Sequence, residues 1–232
     1  MRALLILLVI SVIALVAGDR VAVTVAQDEI ARKIAAEYQL PHEPDVDIRG
    51  FPFLTQAVDG RYREIDIGIG DWTDDDISVH DLDITLANVS APLSDLIARR
   101  TADLVAATAT ATAVVPYDVV RRYAPSGVES ISNTPDGLRA TGTFSIVGLS
   151  VPATVFVTVA PTAEGIEVTP VSVQPGTGGP TVPLTMLRQA LTFVVPLHEL
   201  PLGARLTAIR PGNDGLHVTA VADDVRFDSL TR

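Results

Sequence analysis

Cysteine is absent from the 232 residues of this chain, and aromatic residues make up only 5%. The chain has 17 lysines and arginines but 28 aspartates and glutamates. Without cysteine the chain forms no disulfide, holds no thiolate-ligated zinc or iron–sulfur cluster and carries no cysteine-linked lipid. The formal net charge of −11 opposes approach to nucleic acid or to an anionic membrane surface. Few aromatic side chains are present to stack on bases or sugars. We therefore expect no nucleic-acid partner.

The usual motifs of catalytic and nucleotide-binding sites are missing as well. There is no G-x-S-x-G elbow, no S-x-x-K pair, no phosphate-binding loop, no H-E-x-x-H motif and no dinucleotide fingerprint. His80 stands beside Asp81 and Asp83, an arrangement in which an acid can orient a base, but we interpret it as an exposed strand histidine. Four aspartates between Asp71 and Asp76 lack the central glycine and final glutamate of an EF-hand loop, so we interpret them as a polar hairpin tip. We predict no catalytic residue, no metal and no cofactor, and a protein that is not an enzyme.

The N-terminal segment is strongly apolar. The run from Ala3 to Ala17 holds about 15 apolar residues, roughly 22 Å of helix, which is less than the ~30 Å hydrocarbon core of a bilayer. Small residues that suit cleavage occur at Val16-Ala17-Gly18 and at Thr24-Val25-Ala26, whereas the apolar character resumes from Val21 to Ala26. We predict that residues 1–26 are a signal peptide or an uncleaved membrane anchor. The protein is then exported to the cell envelope, either anchored in the membrane or released as a periplasmic or secreted protein.

Residues 27–232 have the pattern of one domain rich in strands. Ile65, Ile67 and Ile69 alternate with polar or small residues, which is the period of a strand with one apolar face. The alternation changes phase near His80 and Asp81, which predicts a β-bulge there. A repeated form (glycine, aliphatic, any residue, small or branched aliphatic, threonine) predicts hairpin tips in which glycine supplies a positive φ. The repeats begin at Gly137, Gly165 and Gly215.

Helices are predicted from apolar residues at helical spacing and from the placement of proline. They cover residues 28–38, 94–101, 116–123 and 183–195. Together with the long antiparallel strands, these helices predict an α+β fold.

The sharpest local feature is the segment G-F-P-F-L-T-Q at Gly50–Gln56, which follows a predicted strand. Two interpretations stay open: a rigid corner that closes one end of the core, since proline locks its φ, and an apolar rim at the mouth of a cavity. This segment, with Gly60 and the alternation at 65–67, resembles the signature of the LmeA-like phospholipid-binding family of actinobacterial cell-envelope proteins. The resemblance extends from about Arg20 to the C-terminus.

The resemblance implies export to the envelope, binding of phospholipid, and a part in envelope lipid or lipoglycan maintenance. It also implies a fold like that of the tubular lipid-binding proteins, in which a long curved antiparallel sheet wraps around helices and encloses an acyl-chain cavity. No catalytic residue is carried over by it.

From these features we predict a non-enzymatic protein that binds phospholipid in an apolar cavity and contacts the membrane through its N-terminal segment. Burying a methylene yields about 0.8 kcal/mol, so a sixteen-carbon chain supplies on the order of 10 kcal/mol before ordering costs. The side chains predicted to contact lipid lie on apolar faces and on the segment around Pro52. They are Phe51, Phe53, Leu54, Ile65, Ile67, Ile69, Phe144, Ile146, Val155, Val157, Leu187 and Leu191.

Two other functions stay open. The same apolar faces would also line a filled core, which predicts an exported interaction scaffold with a protein partner. An envelope hydrolase is the third hypothesis, and it requires a fold that brings a nucleophile and a base together.

Overall fold

The structure is a computed structural model that describes residues 2–73, 78–91, 105–146, 149–175, 191–197 and 200–226. Helices combine with large antiparallel sheets, which confirms the predicted α+β class. The chain divides into two compact units. The first unit contains residues 1–70, 83–110 and 222–232, and the second unit contains residues 71–82 and 111–221.

The described helices are α1 (Arg2–Glu37), α2 (Phe53–Asp59) and α3 (Tyr117–Tyr123), with a short 3-10 turn at Pro201–Gly203. The strands are β1 (Asp45–Arg49), β2 (Arg61–Thr73), β3 (Ser78–Ser90), β4 (Val105–Pro116), β5 (Val128–Thr134), β6 (Gly137–Ile146), β7 (Leu149–Pro161), β8 (Gly165–Pro175), β9 (Phe193–Pro196), β10 (Arg205–Pro211) and β11 (Gly215–Arg226). A six-stranded sheet has the order β1-β2-β3-β4-β11-β10, and a five-stranded sheet has the order β5-β6-β7-β8-β9. Each neighbouring pair in the five-stranded sheet is antiparallel.

α1 is one continuous helix, and the helix predicted over residues 28–38 is its final part. It crosses the position after Ala26 without a break. The residues from Gly18 to Gln27 include no proline, and a single glycine costs only about 1 kcal/mol in a helix. The helix ends at Glu37, shortly before Gln39 takes a φ of +51°.

The predicted hairpin tips are confirmed in position. β5 turns into β6 at Gly137, β7 into β8 at Gly165, and β10 into β11 at Gly215. Gly137 and Gly165 have φ values of +117° and +142°, as predicted. Gly215 does not have a positive φ, so that part of the prediction is wrong. Glycine is needed there because a Cβ atom would collide with the carbonyl oxygen of Val115.

The phase of β3 changes at the predicted place. His80 and Asp81 follow one another and both are exposed, whereas Val79 before them is buried and Leu82 after them is half-buried. Asp81 takes a φ of +49°, a conformation that turns the strand so that the following side chains face the other way.

Two helix predictions differ from the structure. The helix predicted over residues 94–101 lies outside the described residues, as does most of the one over 183–195. The end of the latter is wrong, because Phe193–Pro196 forms β9. β9 pairs with the start of β8, and Val195 is fully buried opposite Ile166. Tertiary pairing overrides the helical spacing of the leucines there. The helix predicted over 116–123 is confirmed as α3, and α2 was not predicted.

The second unit is built around a cluster of buried apolar side chains. Its members come from α3 and from the strands in this unit, and the largest fully buried ones are Phe144, Ile166 and Leu216. In the first unit, the inward side chains of α1 and β1 are buried together with Phe53 of α2. α1 packs on β1 and α2, so the helix is an integral part of the first unit over its second half.

Candidate functional site

The G-F-P-F-L-T-Q segment links β1 to α2 in the first unit. Its first residue, Gly50, lies against the side chain of its last residue, Gln56. Gly50 has a φ of +101°, and a Cβ atom there would lie 2.9 Å from Nε2 of Gln56. The Gln56 side chain donates a hydrogen bond to the carbonyl oxygen of Arg49 (3.2 Å) and accepts one from the backbone N–H of Arg63 (3.1 Å). The glutamine thereby ties the segment to β1 and β2, and the glycine leaves room for it.

The apolar residues of this segment divide between core and surface. Phe53 is buried, with its ring centroid 6.2 Å from that of Tyr62, and burial raises the pKa of the Tyr62 hydroxyl. Phe51 and Leu54 are 57% and 42% exposed, and Val58, one helical turn after Leu54, is 75% exposed. Phe53 therefore packs in the core of the first unit, while Phe51 and Leu54 present apolar surface outward.

Asp19 of α1 holds this segment in place. Its side chain is only 2% exposed, and Oδ1 accepts a hydrogen bond from the backbone N–H of Leu54 at 2.8 Å. α2 begins after Pro52, whose side chain has no acceptor, so Asp19 supplies the carboxylate that the first turn of α2 requires. Arg20 contacts both Asp19 and Phe51. Its Nη2 lies 3.1 Å from Oδ2 of Asp19, and its guanidinium carbon lies 5.1 Å from the ring centroid of Phe51.

Sequence reasoning missed Asp19 as a functional residue. The signal was present, since a carboxylate inside an otherwise apolar helix is costly unless it has partners. The partner, Leu54, is 35 positions away, and nothing in the local pattern points to it.

α1 changes its environment at Asp19. Every residue from 2 to 18 is exposed, on all faces of the helix. From Asp19 onward one face is covered, with Val23 and Ala31 buried and Ile30 and Ile34 half-buried. The helix is long and apolar enough to cross a membrane, with a mean hydropathy of 2.4 over its most apolar window and 6% of that window buried.

A separate apolar groove of about 770 Å³ lies in the second unit. It is formed by the turn between β7 and β8, the residue after β9, and the 3-10 turn that leads into β10. Its volume falls within the ~300–1,000 Å³ range of small-molecule sites, and four of its eleven described lining residues are leucines. The lining residues are Pro161, Thr162, Ala163, Gly165, Leu197, Leu200, Leu202, Gly203, Ala204, Arg205 and Leu206.

The predicted lipid-contacting residues fall in both units, and none of those whose side chains the structure describes lines this groove. In the first unit, Ile65 is buried while Ile67 and Ile69 are half-buried on the same face of β2. In the second unit, Phe144 and Val155 are 2% and 1% exposed. Val157 and Leu191 are buried in the same cluster, Ile146 lies in β6, and Leu187 lies outside the described residues. The wall of the groove was not predicted, because it joins turns that are far apart in the sequence.

Within the described ranges, His80 and the aspartates near it in the sequence form no metal or catalytic cluster. His80 contacts Asp71 (Nδ1 to Oδ1, 2.7 Å) instead of Asp81 or Asp83, and both partners are exposed. This hydrogen bond raises the pKa of His80. No group of three or more histidine or acidic side chains is placed to bind a metal among the residues described. Asp74, Asp75 and Asp76 lie outside them.

Taken together, a strand-rich α+β fold, an exposed apolar helix and a leucine-lined groove define a protein that presents apolar surface of the kind that lipids cover. Comparison with families identifies it further: the LmeA-like phospholipid-binding family matches residues 17–221. The chain belongs to this family. Comparison with curated proteins and with solved structures found no match.

Proposed function

We propose that this chain is a non-enzymatic phospholipid-binding protein of the cell envelope, exported and held at the membrane by α1, that takes up acyl chains and supports envelope lipid or lipoglycan maintenance. The observation that carries the proposal is the match of the phospholipid-binding family to residues 17–221. The groove of about 770 Å³ in the second unit supports it, because it is an apolar concave surface of suitable size.

The groove suits an acyl chain better than a polar ligand. Four of its eleven described lining residues are leucines, namely Leu197, Leu200, Leu202 and Leu206. Each methylene removed from water contributes about 0.8 kcal/mol, so several methylenes against leucine outweigh the ≤1 kcal/mol typical of an exposed ion pair. We propose that acyl chains lie against these leucines. The apolar faces predicted from sequence, including Ile67 and Ile69, remain a second proposed location.

The contacts of Asp19 argue against cleavage after Ala26. Cleavage after Ala26 would remove the carboxylate that bonds to Leu54 and the buried Val23. The first unit would then lose part of its own fold. This supports a mature chain that begins no later than Asp19; cleavage at Gly18 would leave these contacts intact, and the mass of the mature chain distinguishes it from a retained anchor.

The direct test is chemical. The full chain is purified from membranes under gentle conditions, extracted with organic solvent, and the extract is analysed by mass spectrometry. Stoichiometric phospholipid, or uptake of added phospholipid by delipidated protein, is the expected result. Absence of both from folded protein would contradict the proposal.

The interaction scaffold remains a second candidate because one observation favours it. Phe144 and Val155 are almost completely enclosed by protein atoms, so the interior around them is filled. A scaffold predicts a partner protein that crosslinks in cells and a delipidated chain that takes up no lipid.

A further inference from the structure

Phe51, Leu54 and Val58 in the first unit form an exposed apolar surface, here called the α2 patch. None of the three residues lines the groove of the second unit. The three side chains are exposed and apolar, and Leu54 and Val58 share one face of α2 because they are four residues apart. Phe51 and Leu54 are held against α1 by Arg20 and Asp19, as described above. The patch is therefore fixed at one level of α1, the level at which the helix passes from exposed to covered.

That level coincides with the end of a membrane span. Residues 2–18 measure about 25 Å as a helix, and a span needs ~20 residues, which counted from Ala3 ends at Ala22. Asp19 and Arg20 then lie at the boundary between hydrocarbon and headgroups. The Asp19 carboxylate is turned toward α2, and the Arg20 side chain, 55% exposed, can extend to the headgroups.

We propose that the α2 patch inserts into the headgroup region of the same membrane that α1 enters, so that the first unit lies on the bilayer surface instead of hanging from a free helix. The inference rests on the proposed membrane attachment through α1. The occupant is a lipid bilayer, because residues 3–17 are exposed on every side and apolar except for Ser11, and a bilayer surrounds a helix completely. The patch continues this surface laterally at the end of the span.

Arg20, which contacts the patch, and two arginines that follow α2 in the sequence provide cationic groups for anionic headgroups, against the exposed Asp59 at the end of α2 and the net charge of −11. Arg20 contacts Phe51, and the exposed Arg61 and Arg63 follow α2 at the start of β2. Aromatic and apolar side chains flanked by arginine are the composition of surfaces that lie at the interface of a bilayer.

Since the chain has no cysteine, a single introduced cysteine can be labelled without a background. The full-length variants Val12→Cys, Leu54→Cys and Glu37→Cys each receive an environment-sensitive fluorophore and are reconstituted into vesicles of phosphatidylcholine and phosphatidylglycerol. Nitroxide lipids then quench the label, with the nitroxide near the headgroup or near the end of the acyl chain. Glu37 is the matched control, because it lies at the other end of α1, about 27 Å along the axis from Asp19.

We expect the label at position 12 to be quenched by the deep nitroxide, and the label at position 54 to be quenched by the shallow nitroxide at least three-fold more than the label at position 37. Leu54 bonds to Asp19 through its backbone, so the substitution leaves that contact intact, and Val58→Cys serves as a second reporter on the same face. Equal quenching at positions 54 and 37, with position 12 still quenched, would overturn the inference and leave membrane attachment standing. Self-quenching at position 54 without lipid quenching would assign the patch to a second copy of the chain and also overturn it. No quenching at position 12 would refute the attachment and the inference together.

Discussion

Replacing leucines of the groove tests whether acyl chains bind there. Leu200 and Leu202 line the groove and are half-buried, so a bound acyl chain would cover the remaining part of each side chain. Complete burial of a leucine side chain is worth about 1.5–3 kcal/mol, and covering roughly half of it is worth about 1 kcal/mol. Leu202→Asn should thus weaken phospholipid binding about five-fold, and the double variant with Leu200→Asn about thirty-fold if the two effects add.

Asparagine is the appropriate replacement at position 202 because Leu202 has a φ of +64°, a conformation that asparagine adopts more readily than leucine. The apolar wall is removed without added backbone strain. The matched control is Val171→Thr, an exposed apolar residue of β8 outside the groove, which should leave affinity unchanged. Affinity is measured by titrating delipidated protein with a fluorescent phospholipid, and circular dichroism confirms the fold of each variant.

Unchanged affinity in the folded double variant would refute the assignment of acyl chains to the groove. Ile67→Asp then distinguishes the second proposed location, since a charge on the half-buried face of β2 should reduce uptake if lipid binds to the first unit. Loss of uptake in Ile67→Asp alone would move the site to that face. Loss of uptake in neither variant would favour the interaction scaffold.

Three further predictions concern stability and ionisation. Phe53→Ala should lower the free energy of unfolding by about 3–5 kcal/mol in urea denaturation, because it empties a buried aromatic site, whereas Val58→Ala at an exposed position should change it by less than about 0.5 kcal/mol. Tyr117→Phe should cost about 1 kcal/mol, because the hydroxyl donates a 2.7 Å hydrogen bond to a backbone carbonyl; a change below a few tenths would contradict this. Burial and a nearby acidic charge raise the pKa of Tyr117 to about 12, so stability present below pH ~10 should fall more steeply as the pH rises toward 12 in the native chain than in the variant. In NMR titration the pKa of His80 should lie above its ordinary value, and Asp71→Asn should lower it; any stability from this pair is present below pH ~6.5 and is lost as the pH rises through the pKa of the folded state.

Local patterns were sufficient where one face or one turn decides the structure. The alternation at Ile65, Ile67 and Ile69 predicted β2, and the glycines at 137 and 165 predicted hairpin tips, because a strand period and a positive φ depend on residues next to each other. The predicted helix ending at Val195 failed for the opposite reason. Phe193 and Val195 pair with Val168 and Ile166 of β8, which lie about 25 to 29 residues earlier in the chain. The helical spacing of the leucines does not reveal this partner.

The apolar N-terminal helix, the strand-rich α+β class and the G-F-P-F-L-T-Q segment that marks the family were determined by the sequence alone, because hydropathy and short motifs are local properties. Only the tertiary structure decided that Asp19 bonds to Leu54, that Gln56 needs Gly50 beside it, and that leucines from separate turns meet in one groove. Each of these depends on a contact between residues brought together by folding, and the free energy of such a contact exists only once the backbone has placed both partners within reach of each other.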